Sequence, residues 1–221
     1  MKRAVTFPQA VAKRRHAAVR QARRLQRGIS LIVSLVMLVA LVLLGISSAQ
    51  IALQGEKASR NERDRQIAFQ AAEAALMDAE LDIEDSPDTL NSRSSMFSKE
   101  SALGFPGEGE PACKTGASSK ELGLCRRTLA SATPAWQTVD FLDDSASAAS
   151  VPFGHFTGQA LATGKGSLPS RLSRYVIELL VYNVHGESAD KPSYFYRITA
   201  IGFGTRDTTQ VVLQSFYRKE K

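Results

Sequence analysis

No acidic residue occurs before Glu56. The first 28 residues hold nine lysines and arginines, so the net charge of +6 sits in one short tail. The remainder has 19 basic and 22 acidic residues and is slightly negative. The body therefore lacks a basic face, which argues against nucleic acid as a partner. No proline lies between Pro8 and Pro87, so nothing in that stretch forces a helix to break. Cysteine is scarce. Cys113 and Cys125 stand too far apart for a CxxC zinc motif and are too few for a four-ligand site.

Other absences exclude chemistry. The three histidines, His16, His155 and His185, are widely spaced and form no HExxH pair, so no metal site is expected. No GxSxG is present, and no Ser–His–Asp set can be nominated. Gly164-Lys165-Gly166-Ser167 lacks the first glycine of a phosphate loop and follows no clear strand. The acidic residues Glu80, Asp82, Glu84, Asp85 and Asp88 lack the spacing of a calcium loop and read as a solvated helix end. The expectation is a protein with no catalytic residue, no metal and no cofactor, a structural component and not an enzyme.

What is present is an apolar run. Ile29 to Ile46 is 18 residues without a charge. As a helix it rises about 27 Å, close to the hydrocarbon thickness of a bilayer. Because the positive cluster precedes it, residues 1–28 are expected in the cytoplasm and the body on the far side of the membrane. Three fates are open to the segment. It could be a plain signal anchor, or be cut after Ser47-Ser48-Ala49, or be cut before the run at Arg27-Gly28-Ile29. The third would keep the apolar helix and remove all nine N-terminal charges. Export of the body makes a Cys113–Cys125 disulfide the natural reading, with two unrelated thiols as the alternative.

Past Ile46 the chain stays rich in Ala, Glu, Gln, Leu and Arg, so one helix is expected from about Ile29 to about Asp85. Its first half is apolar on all sides. Its second half carries a stripe of Ala68, Ala72, Ala75, Leu76, Ala79 and Ile83 at three- and four-residue steps. Residues 87–170 are loop-rich and poorly patterned. From Arg174 three strands follow: RYVIELLVYNV, SYFYRITAIGFG and TTQVVLQSFYRK, the last two joined at Gly204-Thr205-Arg206-Asp207. They read as an antiparallel meander that covers the helix stripe. Arg218, Lys219, Glu220 and Lys221 at its end discourage edge pairing.

Three segments carry a resemblance. QRGISLIVSLVMLVALVLLGI resembles the N-terminus of type IV prepilins. NERDRQIAFQAAEAALMDAE, residues 61–80, is similar to the N-terminal region of the PilX-type minor pilins of type IV pilus assembly, and YRITAIGFGTRDTTQVVLQSFYR, residues 196–218, to their C-terminal segment. The resemblance implies an α+β pilin-like fold: one long N-terminal helix, transmembrane and then amphipathic, packed on a small antiparallel sheet. The expected organisation is a basic leader at 1–28, a transmembrane half-helix at 29–54, an amphipathic half-helix at 55–86, a variable region at 87–170 and a β-meander at 171–221.

The resemblance further implies cleavage by a prepilin peptidase between Gly28 and Ile29, and N-methylation of Ile29. The implied partners are other minor pilins, the major pilin, the prepilin peptidase and the inner-membrane assembly platform. The implied location is the inner membrane in a single pass, with a periplasmic head, and then the pilus. There is one departure: Val33 stands where many pilins carry a glutamate. That suits a low-copy subunit better than the repeating one. Two other functions fit the same residues: a tip-type pseudopilin of a type II secretion system, and an ordinary signal-anchored periplasmic protein.

Overall fold

The computed structural model describes residues 28–128, 132–182 and 193–219. The chain separates into two compact units, residues 1–58 and 59–221. Helix α1, Ile29–Glu84, belongs to both and ends one residue short of the expected Asp85. From Ile29 to Ala58 every residue is exposed. Three serines of this stretch are satisfied inside the helix: the hydroxyls of Ser34, Ser47 and Ser48 donate to the carbonyls of Leu31, Leu43 and Leu44, each at 2.9 Å. A serine bonded in this way leaves no hydroxyl unpaired in a hydrocarbon medium.

In the second unit, residues of α1 from Ser59 onward pack on a five-stranded sheet. The further elements are β1 (Leu124–Arg126), α2 (Ala135–Thr138), β2 (Val151–Pro152), β3 (Arg174–Tyr182), β4 (Ser193–Phe203) and β5 (Gln210–Tyr217). The meander is present, with β3, β4 and β5 antiparallel in sequence order. The sheet is nevertheless mixed and not purely antiparallel. β1 runs parallel to β3, with Leu124 opposite Ile177, and β2 pairs antiparallel to the start of β3. These two strands are three and two residues long. That is too short to show an alternating pattern, so both fall within the stretch that the sequence presents as loop-rich.

Both sheet faces are covered. On one face Tyr175, Ile177, Tyr196, Ile198 and Ala200 meet Ala75, Ala79 and Ile83 of α1. The loop-rich region contributes Phe97, Leu122, Val151 and Phe156 to the same core, so it is a packed part of the head. On the other face Val176, Ile201 and Phe203 meet Ala135, Phe141 and the two cysteines. Cys113 and Cys125 form a disulfide. It closes a short loop, so the double variant Cys113→Ala/Cys125→Ala should lose about 2–4 kcal/mol of stability in chemical denaturation. An unchanged midpoint would show that the loop is held by its packing alone.

The helix–sheet contact is close because small residues meet. Gly202 of β4 lies against the α1 backbone, where a Cβ would collide with the Ala68 carbonyl and the Ala72 amide nitrogen. Ala68, Ala71, Ala72 and Ala75 are buried there. Each has the smallest side chain compatible with a strong helix, so a glycine opposite them lets the two backbones touch.

Candidate functional site

Two regions bear on function, and each is described within its own unit. The first is the N-terminal end of α1. Gly28 sits in a turn just before α1, exposed, with nothing within 4 Å of where a Cβ would lie. Ile29 opens the helix and is 66% exposed; Val33 is exposed as well. Residues 1–27, including His16, lie outside the described residues. The apolar side chains from Leu31 to Ile46 project on all sides of the helix, with Leu31 at 69% and Leu44 at 65% exposure. Such a surface is unstable in water and requires lipid or other apolar helices around it.

The second region is the packing face of α1 in the head. Three aspartates lie on it: Asp64, Asp78 and Asp82, all buried. Each pins a different part of the head to the helix. Asp64 holds the β4–β5 turn. Its Oδ1 accepts from the Thr205 amide at 2.5 Å and the Thr205 hydroxyl at 2.6 Å, and its Oδ2 accepts from the Thr209 hydroxyl. Asp78 holds the loop after β2, accepting from the Gly154 amide at 2.8 Å and from the Thr157 hydroxyl.

Asp82 holds Arg93 and the sheet. Arg93 Nη2 donates to Asp82 Oδ2 at 2.6 Å, and its Nε reaches both carboxylate oxygens at 3.0 Å. The Tyr175 hydroxyl donates to the same carboxylate at 2.9 Å. Arg93 Nη1 also donates to the carbonyls of Lys120 and Leu122, and the guanidinium stacks 3.8 Å from the Phe156 ring centroid. Both side chains of the ion pair are fully buried. Asp82 is therefore not part of a solvated helix end; only Glu84 and Asp85 of that group are exposed on the last turn. Burial, then the nearby Asp82 charge, pushes the Tyr175 hydroxyl well above its ordinary pKa, so it stays a donor. Lys219, expected as an edge guard, turns instead to α1: its Nζ donates to the carbonyls of Ile83 and Ser94, both at 2.8 Å. A cation there satisfies the Ile83 carbonyl, left open at the helix C-terminus. Glu220 and Lys221 lie outside the described residues, as does His185.

The buried aspartates respond oppositely to pH. At Asp64 burial raises the carboxyl pKa, but hydrogen bonds from Thr205 and Thr209 outweigh it and hold it below the ordinary value. At Asp78 burial dominates and raises it despite the bonds from Thr157 and Gly154. A lowered folded pKa stabilises above the unfolded pKa, and this is lost as pH falls through the folded value; a raised one costs stability as pH rises past the unfolded value. Asp64→Asn should therefore flatten the acid side of a stability–pH curve. Asp78→Asn should flatten the segment above the ordinary carboxylate pKa. Thermal unfolding between pH 2 and 7 tests both, and identical curves for wild type and D64N would refute the first.

The stripe on α1 was legible as alanines. The sequence alone does not mark Asp64 and Asp78 as buried and puts Asp82 in a solvated helix end, although all three fall at three- and four-residue steps from Ala68, Ala75 and Ala79 on that same stripe. The partner Arg93 and the fully buried pair Tyr175 and Tyr196 come from loop and sheet, where no spacing links them to the helix.

Residues 110–219 match the family model described as type IV pilus assembly protein PilX, C-terminal, and residues 27–76 match PilX N-terminal. The chain belongs to the PilX family of type IV pilus assembly proteins. The N-terminal PilX match takes in Gly28, Ile29 and the α1 face as far as Leu76. The C-terminal PilX match takes in the disulfide and all five strands. No curated protein matches the chain, and no solved structure does. Membership in PilX places this chain among the components of pilus assembly, and the apolar segment of α1 is its candidate membrane anchor.

Proposed function

We propose that this PilX protein is a minor pilin, matured by a prepilin peptidase between Gly28 and Ile29 and N-methylated at Ile29. The basic leader stays in the cytoplasm, the Ile29–Ile46 segment enters the inner membrane and the head lies in the periplasm, as the charge asymmetry favours. From there the helix joins those of the major pilin and other minor pilins at the inner-membrane assembly platform. The observation that carries this reading is the helix from Ile29 to Ala58, exposed on every side. Lipid covers it first and neighbouring helices afterwards, and burial of apolar surface at about 25 cal/mol per Å² drives both steps.

Gly28 supports the cleavage position: it is exposed, and it lacks a side chain that would obstruct a protease. The test is the N-terminal mass of the mature protein from an envelope fraction. A methylated chain starting at Ile29 is expected. A chain starting at Met1 or at Gln50 would overturn the proposal in favour of a signal anchor or a secreted protein. Gly28→Phe should reduce maturation severely, with the uncut precursor accumulating on an immunoblot. Val33 offers no carboxylate to a neighbouring N-terminal amine, which suits a low-copy position. Immunogold labelling should be sparse, and uniform labelling along filaments would refute that placement.

A further inference from the structure

Beside Asp64 the head carries a cleft of about 430 Å³ lined by Arg60 and Arg63 of α1, Arg206 of the β4–β5 turn, and Ser167 and Thr205. Three arginines and one carboxylate thus line one open depression. That carboxylate is already engaged: the Thr205 amide and the hydroxyls of Thr205 and Thr209 bond it. Its distance to Arg206 Nε is 3.9 Å, and Arg206 is 67% exposed, so this ion pair is loose. Arg63 donates to the hydroxyl of Ser167, a neutral partner, and pairs with no carboxylate among the described residues.

The walls of the cleft are held in place. The Gly164 amide donates to the Pro169 carbonyl at 2.8 Å and closes the loop that carries Ser167. The Ser170 amide donates to the Gly204 carbonyl at 2.7 Å and ties that loop to the turn that carries Arg206. Arginines from two separate elements are therefore presented together on a built surface. Like charges so gathered repel unless an anion joins them, and guanidinium groups match the oxygens of a phosphate bidentately. The Gly164–Ser167 segment, which lacks the spacing of a phosphate loop, supplies one hydroxyl here and not the backbone cradle of that motif.

We propose that this cleft binds a phosphate group, with Arg63 and Arg206 as its main charged partners and the Ser167 hydroxyl as a supporting donor. A free phosphate or the headgroup of an anionic phospholipid would supply the same chemistry. The inference is independent of prepilin processing, since it concerns the head alone.

The test uses the purified full chain in neutral detergent micelles, titrated with inorganic phosphate, and the same chain in nanodiscs of phosphatidylcholine with and without phosphatidylglycerol. The thermal midpoint and the ³¹P resonance are followed. A saturable rise in midpoint with inorganic phosphate identifies a free phosphate site. A response confined to phosphatidylglycerol identifies a lipid headgroup site. In either case R63Q/R206Q should raise the half-saturating concentration about tenfold or more, from the loss of charge-assisted hydrogen bonds. Should the double variant fold poorly, R206Q alone changes a residue whose one ion pair is loose, and it should weaken binding several-fold. No saturable response in any arm, or one equal in wild type and variants, overturns the proposal. The mass of the N-terminus is read from the same preparation and reports on processing separately.

Discussion

Arg93→Met should destabilise the head by about 3–5 kcal/mol, the cost of leaving a buried charge without its partner. Among the described residues, Asp82 would then retain only the Tyr175 hydroxyl as a side-chain donor. The carbonyls of Lys120 and Leu122 would lose the Arg93 donor as well. Both charged side chains are at 0% exposure, so water cannot take over. Chemical denaturation in neutral detergent, followed by circular dichroism, measures the change. A companion variant separates the stranded charge from lost packing. Asp82→Asn/Arg93→Met removes both charges and leaves an acceptor for Tyr175, so it should be more stable than Arg93→Met alone. If the double variant is the weaker of the two, the ion pair does not account for the effect.

Gly202→Val should cost about 3 kcal/mol or more, at or beyond the upper end of overpacking effects. The atoms that an added Cβ would strike are backbone atoms of α1 at Ala68, Ala71 and Ala72, which cannot swing aside as a flexible side chain would. Relief requires moving the helix off the sheet, which would stretch the Asp64 bonds to Thr205 and Thr209 at the same end of the head. Gly107→Ala provides the control. Nothing lies within 4 Å of its Cβ position, so its effect should stay within about 0.5 kcal/mol. Equal midpoints for Gly202→Val and wild type would refute close backbone approach as the reason for a glycine at position 202.

The candidate membrane segment, the helix and the three long strands were all readable from the chain. Each depends on neighbours in sequence. Eighteen uncharged residues make a membrane-length helix whatever follows. The absence of proline up to Pro87 lets that helix continue, and it ends at Glu84. β3 and β4 show as runs rich in Val, Ile, Leu and aromatic residues, and β5 alternates with the two-residue repeat of a strand. The alanine stripe pointed to the face that packs, and the cysteines to a bond that is present.

Only tertiary structure decided the rest. β1 and β2 are too short to leave a pattern, and they became strands because β3 offered them hydrogen bonds. An aspartate on an alanine stripe is exposed or buried according to whether a distant donor reaches it. For Asp82 that donor is Arg93, from a loop, with Tyr175, from the sheet, 93 positions away. The cleft likewise joins Arg63 to Arg206, residues that only the packing of α1 on the β4–β5 turn brings together. Composition and periodicity along the chain thus determined the helix, its apolar candidate anchor segment and the strands, because those are local and apolar effects. The burial of charge and the meeting of arginines were set by long-range partners, because a polar group is stable out of water only where another part of the chain supplies its hydrogen bonds.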